Sequence, residues 1–128
     1  MEEQLLHRFD RLIAEKGYTN RSEAIRDIVR DKLVEEDIQQ TTGTVYGTLT
    51  FVYDHYKREL EKKLSSVQHD YHHNIVATTH VHISHSRCLE VVILKGEAKI
   101  LRTIADHLLS IKGVQHGKLT ITTSMEIL

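Results

Sequence analysis

The first part of the chain sets apolar residues at the spacing of a helix. Leu5, Leu6, Phe9, Leu12 and Ile13 recur at intervals of three and four, which lines one face of an amphipathic helix. Lys16 and Gly17 follow, a stop in which a cation sits in the last turn and glycine takes the left-handed conformation. Asn20-Arg21-Ser22-Glu23 reads as an N-cap with an acidic residue at the third helical position. Ile25, Ile28, Val29 and Leu33 then form the stripe of a second helix. Two helices of about four turns each cannot bury both stripes alone. They either fold back onto the rest of the chain or pair with a second copy, and core size favours the dimer.

The pattern then breaks. Glu35-Glu36-Asp37-Ile38-Gln39-Gln40-Thr41-Thr42-Gly43 is polar and has no strand alternation, so 37–43 reads as a linker between a helical unit, 1–36, and a mixed unit, 44–128. Thr44 to Tyr53 is β-branched and aromatic and predicts a strand. Lys57 to about His73 predicts a helix, with Leu60, Leu64 and Val67 on one face. Ile75 to Ser84 and Cys88 to Lys95 predict strands. Lys99 to Ile111 predicts a helix with the stripe Ile100, Leu101, Ile104, Leu108 and Ile111, closed by Gly113. Val114 to Thr123 is a final strand. The order β-α-β-β-α-β is that of ferredoxin-like folds. The whole chain is therefore α+β, with one sheet face under helices and one open, a face that commonly packs on another subunit.

Composition narrows the function. At 128 residues the chain is one medium domain or two very small ones. No apolar run approaches a membrane span, and no signal-peptide pattern is present. The formal net charge of −1 is not the basic balance of a simple nucleic-acid binder, so DNA binding would rely on local charge geometry. A single cysteine excludes an intramolecular disulfide framework. A lone thiol that faces a metal is safest in a reducing compartment, which makes the cytoplasm the expected location.

The candidate chemistry lies in His80-Val81-His82 and Cys88. On a strand, residues i and i+2 share a face, so His80 and His82 project together. Ser84-His85-Ser86-Arg87 can turn the chain, and Cys88 can then lie across from the two imidazoles. Such a group is either a polar sheet face beside an unrelated buried cysteine, or three quarters of a transition-metal site. Imidazole and thiolate are the usual donors for such metals, which favours the metal. A second cluster, His69, His72 and His73, is spaced to share one helix face. Histidine near a helix C-terminus also suits the helix dipole without any metal. All told the chain has 10 histidines.

With both halves in view, the chain resembles the nickel-responsive regulators of the NikR family over nearly its whole length. The N-terminal part of the resemblance is Lys16-Gly17-Tyr18-Thr19-Asn20-Arg21-Ser22-Glu23-Ala24-Ile25-Arg26-Asp27, the helix-turn-helix portion of a ribbon-helix-helix domain. The C-terminal part is His80-Val81-His82-Ile83-Ser84-His85-Ser86-Arg87-Cys88-Leu89-Glu90, then Leu94-Lys95-Gly96, with Gly113-Val114-Gln115-His116-Gly117 as a third piece. The resemblance implies a ribbon-helix-helix unit followed by an ACT-like domain, assembled as a dimer of dimers that binds operator DNA. It implies Ni(II) at the tetramer interface, held by His80, His82 and Cys88 of one subunit and His69 of its neighbour. Gln68, beside His69, and Glu90, two residues past Cys88 on the same face, would hold the ligands in place. The donor types suit nickel or zinc, so the choice of nickel rests on the family. Asn20, Arg21 and Ser22 open a helix whose free N–H groups can take a phosphate, and Lys57 and Arg58 match the family's backbone-contacting loop.

The sequence departs from the family at its start. A ribbon-helix-helix protein reads bases with a strand that precedes its first helix. Here Met1-Glu2-Glu3-Gln4 leads directly into that helix, and the ribbon strand is absent. Residues before Met1 are omitted, or the start is internal, or the ribbon is truly lacking. The expected function is a nickel-responsive DNA-binding repressor. The alternative is a ribbonless module that binds or sequesters nickel, or co-assembles, without sequence-specific DNA binding. Neither reading involves a membrane or a small-molecule substrate. An enzyme is disfavoured, because His69, His80, His82 and Cys88 would leave no open coordination position for catalysis.

Overall fold

The computed structural model describes residues 2–40 and 42–123, apart from the side chains of Gln40 and Arg58. The elements in chain order are α1 (Glu3–Glu15), α2 (Arg21–Gln40), β1 (Thr44–Asp54), α3 (Arg58–Asp70), β2 (Ile75–His82), β3 (Arg87–Glu97), α4 (Ala98–Leu109) and β4 (Val114–Thr122). Contacts divide the described residues into two units, one up to Asp37 and one from Ile38. Among the described residues no helix is long and apolar enough to cross a membrane.

In the first unit, α1 ends as its sequence predicts. The Gly17 and Tyr18 N–H groups donate to the Ala14 and Ile13 carbonyls, and Gly17 has φ +89°. This Schellman closure satisfies carbonyls that the helix end would otherwise leave orphaned. Asn20 caps α2, its Oδ1 accepting from the Glu23 N–H at 3.0 Å. Ala24 and Ile13 are buried, whereas Leu5, Leu12, Ile25, Ile28, Val29 and Leu33 stay exposed. Leu5, Leu6, Phe9, Ile25 and Ile28 line an open apolar groove of about 280 Å³ with Arg21.

The segment expected as a linker is helical as far as Gln40, and Thr41 lies outside the described residues. Glutamate and glutamine are good helix formers, and Lys32 pairs with Glu35 at 3.5 Å and with Glu36 at 4.0 Å along the helix face. Polarity without Gly or Pro marks a solvated helix face as readily as a loop. Ile38, the apolar residue of that stretch, is buried.

The second unit is a four-stranded antiparallel sheet in the order β2-β3-β1-β4, with α3 and α4 as its two helices. The central strands carry the core. Val45, Leu49, Phe51 and Tyr53 of β1 are buried at alternate positions, as are Cys88, Glu90, Val92 and Leu94 of β3. Leu101, Ile104 and Leu108 of α4 and Leu60 and Leu64 of α3 complete it. Ile100 of the expected α4 stripe is 39% exposed, because the buried face of this helix is the narrower Leu101-Ile104-Leu108 line. Tyr46 and Ile93, on the other sheet face, are exposed.

α3 stops at Asp70, earlier than its pattern predicts. The chain must turn there to enter β2. The Asn74 N–H donates to the Tyr71 carbonyl, and Asn74 is tied to Lys95 through both backbone and side chain. His72 and His73 therefore sit in the turn and not on the helix face with His69. The rings still cluster, with centroids 5.7 Å apart for His69 and His72 and 4.0 Å for His72 and His73.

Gly113 tests how tightly α3 is seated. It has φ +108°, and a Cβ there would meet Leu60 Cδ2 at 2.7 Å. Gly113→Ala combines backbone strain with overpacking of a buried leucine, and should destabilise the second unit by about 2–4 kcal/mol. Denaturant unfolding of the variant measures this, and a change below about 0.5 kcal/mol, the range of neutral surface substitutions, contradicts the packing described.

Candidate metal centre

The β2–β3 pairing builds the candidate site. His80 lies opposite Glu90 and His82 opposite Cys88. All four share the helix-covered face, since Cys88 and Glu90 are buried there with Val92 and Leu94. β2 is an edge strand, so its two imidazoles remain exposed at the rim. The Cys88 Sγ lies 3.5 Å from His82 Nδ1.

Glu90 is a carboxylate in an apolar core, only 4% exposed. A buried charge persists where partners satisfy it. Gln68 Nε2 donates to Glu90 Oε2 at 2.5 Å. His80 Nδ1 lies 3.4 Å from Glu90 Oε1. The Thr78 hydroxyl donates to Gln68 Oε1 at 3.2 Å and fixes the amide orientation. These residues line a cavity of about 270 Å³ with Tyr53, Glu61, Leu64 and Ser65. Carboxylate contact at Nδ1 leaves Nε2 of His80 for a ligand, the usual way an outer carboxylate selects the tautomer of a metal-binding histidine. Burial pushes the Tyr53 phenol well above its ordinary pKa, with the neighbouring Glu90 and Cys88 adding to the effect.

The other expected ligand stands apart. His69 is exposed near the end of α3, stacked on His72. Among the described residues, the donor atoms that approach one another closely enough to share an ion are those of His55, His82 and Cys88, all within 4.8 Å. His55 had no signal in the sequence pattern. It follows β1 directly, but its nearness to the hairpin depends on the β1–β3 register, which sets Asp54 opposite Arg87. Two imidazoles and a thiol at this spacing fit a transition-metal ion by donor chemistry.

The residues expected to meet DNA are in mixed states. Asn20 is engaged as the α2 cap. Arg21 forms a two-pronged ion pair with Asp10, both contacts at 2.8 Å, and the guanidinium holds the Asp10 carboxyl below its ordinary pKa. Ser22 and Lys57 are exposed. The Arg58 side chain lies outside the described residues.

The Gln68–Glu90 hydrogen bond has a measurable consequence. Gln68→Ala removes a donor from a buried carboxylate and should cost about 1.5–3 kcal/mol in metal-free protein, the range for hydrogen bonds to charged groups. His72→Ala, at an exposed turn, should cost less than about 0.5 kcal/mol. Thermal or urea unfolding in chelator reads both. Equal effects would show that Gln68 does not support Glu90.

Comparison with known proteins places this geometry. Residues 46–122 match the NikR C-terminal nickel-binding domain, and residues 1–36 match the ribbon-helix-helix proteins of the copG family. A candidate nickel-responsive regulator of Solibacter usitatus is 52% identical over 124 residues, which span 97% of this chain and 89% of that protein. A candidate nickel-responsive regulator of Thermococcus kodakarensis is 52% identical over 120 residues, 94% of this chain and 87% of that protein. A third, from Pyrococcus furiosus, is 50% identical over 121 residues, 94% and 88% of the two chains. Among solved structures, an uncharacterised protein of Thermotoga maritima shares the fold at a TM-score of 0.55 and 15% identity, over 61% of this chain and 96% of its own. With the strand-borne imidazoles and thiol set on that fold, and two family models matched in sequence, the chain belongs to the NikR family of nickel-responsive transcription regulators and not to a family of enzymes.

Proposed function

We propose that the protein is a DNA-binding transcriptional repressor that Ni(II) switches on, acting as a homotetramer. In this reading nickel is held at a subunit interface by His80, His82 and Cys88 of one protomer and by His69 of its neighbour. The observation that carries it is the pairing of His80 with Glu90 and of His82 with Cys88. That pairing presents two imidazoles and a thiol on one strand pair, with the His80 ring held from behind. His69 and His80 both lie outside the close donor group of their own chain, and the assignment of His69 to a neighbour is drawn from the family. Three imidazoles and one thiolate in a plane suit Ni(II), whereas a tetrahedral arrangement suits zinc. The preference for nickel is drawn from the family.

Assembly has two supports. The α1–α2 unit leaves Leu5, Leu12, Ile25, Ile28, Val29 and Leu33 exposed, more apolar surface than a lone helix pair can leave to water. A second copy covers it in the proposed dimer. The open sheet face, with Tyr46 and Ile93, is the surface available for a dimer of dimers. For DNA, the α2 N-terminus with Asn20, Arg21 and Ser22 is a helix end suited to a phosphate, and Lys57 and Arg58 add charge. These contacts fix position and not sequence. Arg21 would have to exchange Asp10 for a phosphate, so the contact should weaken steeply with salt.

Cys88→Ala tests the ligand set. It should abolish the sulfur-to-nickel charge-transfer absorption and weaken nickel binding by several kcal/mol, as expected for loss of an anionic ligand. Unchanged affinity would sink the assignment.

The split between subunits is tested by mixing. His69→Ala and Cys88→Ala chains, each defective alone, should regain some high-affinity nickel sites when refolded together. The first supplies His80, His82 and Cys88, and the second supplies His69. No recovery in the mixture means that the ligands come from a single chain.

A further inference from the structure

We infer that His55, His82 and Cys88 form a second cation site, complete within one protomer, which takes a tetrahedral ion such as Zn(II) and competes with the proposed nickel set for two shared ligands.

The geometry is already gathered. The donor atoms of the three side chains lie within 4.8 Å of one another. His82 Nδ1 is 3.5 Å from the Cys88 sulfur, and the His55 and His82 rings meet edge-on with centroids 4.9 Å apart. His55 is also held in place from outside. Its backbone N–H donates to the Ser86 carbonyl at 2.9 Å, and its ring lies 4.4 Å from that of Tyr56. Tyr56 in turn bonds through its hydroxyl to His85 Nε2 at 2.9 Å. The end of β1 is thereby tied to the β2–β3 turn, the same turn that separates His82 from Cys88.

A second observation points to a ligand. Among the described residues, His55 Nδ1 is the one buried side-chain nitrogen or oxygen without a hydrogen-bond partner. Burying such a group unpaired is costly, and native folds rarely leave one without a reason. A metal ion beside His82 and Cys88 would supply the missing partner.

The chemistry of this set differs from that of the proposed nickel set. Two imidazoles and a thiolate with one position left for water match the three-ligand tetrahedral sites of zinc. Neither His80 nor His69 takes part. His80 keeps its contact with Glu90, and no neighbouring subunit is needed. Because His82 and Cys88 belong to both sets, one ion excludes the other. The competition rests on the nickel reading proposed above, whereas the site itself rests on the His55 geometry. The consequence is a discrimination by ligand set. An ion that prefers a tetrahedron is retained inside one protomer, and an ion that prefers a plane recruits His80 and the neighbour's His69. Raw affinity follows the same order for most nitrogen and sulfur sites, so geometry is the means left to separate these metals.

The test titrates the full chain and its His55→Ala, His55→Gln, His80→Ala and His69→Ala variants with Zn(II), Co(II) and Ni(II) separately, with far-UV circular dichroism as the check on folding. Both His55 variants should lose at least about tenfold in Zn(II) affinity, the lower bound even for a residue that merely supports a ligand. They should also lose the intense visible bands of tetrahedral Co(II). Their Ni(II) affinity should stay within about twofold. His80→Ala and His69→Ala should weaken nickel and spare zinc and cobalt. Zinc affinity and cobalt spectra that ignore both His55 substitutions overturn the second site, and so does an equal loss of zinc and nickel, which would make His55 part of one common site. Nickel binding that ignores His80→Ala and His69→Ala would instead remove the nickel set and leave the zinc site standing on its own arm.

Discussion

The antiparallel pairing of β2 with β3 is the constraint on which the candidate metal face depends. It sets His80 against Glu90 and His82 against Cys88. Side chains alternate across a strand, so a slip of one residue would turn both imidazoles to the open face. The turn opposes that slip through the Ile83 and Ser84 N–H groups, which donate to the Arg87 carbonyl. The register is also held further in, where Val92 and Leu94 of β3 are buried beside Leu49 and Phe51 of β1. β3 is thus fixed by the core and β2 is fixed by β3. The donor positions are set by apolar burial at a distance, and the edge strand can afford polar residues because its neighbour carries the core.

Glu90 is the point where this frame meets α3. An apolar residue would pack more cheaply at a position 4% exposed. A carboxylate there reaches His80 on one side and Gln68 on the other. Gln68 immediately precedes His69. The buried acid therefore couples the orientation of a β2 imidazole to the seating of the helix end that carries the proposed neighbouring ligand. Buried polar networks of this kind are costly unless every member is satisfied, and Thr78 completes this one by fixing the Gln68 amide.

Much of this was legible in the chain. The order of elements along the chain followed from two periodicities, and the common face of His80, His82 and Cys88 followed from spacing two on a strand and a short turn. The position of Glu90 on the face of Cys88 followed for the same reason. What escaped was set by contacts distant in sequence or by competing local signals. The helical run through Gln40 reads as a linker because a solvated helix face and a loop share the same polar residues. His72 and His73 look helical until the Asn74–Lys95 bonds force the turn. His55 joins the donor group only through the pairing of β1 with β3, which no local pattern reveals. Its unpartnered nitrogen is visible only once side chains are packed.

The central claim is that nickel binds through the thiolate of Cys88 together with imidazoles presented by the β2–β3 pair. Nickel-edge X-ray absorption on the loaded protein tests it most directly. A four-coordinate shell of one sulfur and otherwise nitrogen donors, with the sulfur lost in Cys88→Ala, is the predicted result. A six-coordinate shell of oxygen and nitrogen without sulfur in the unaltered protein would contradict it.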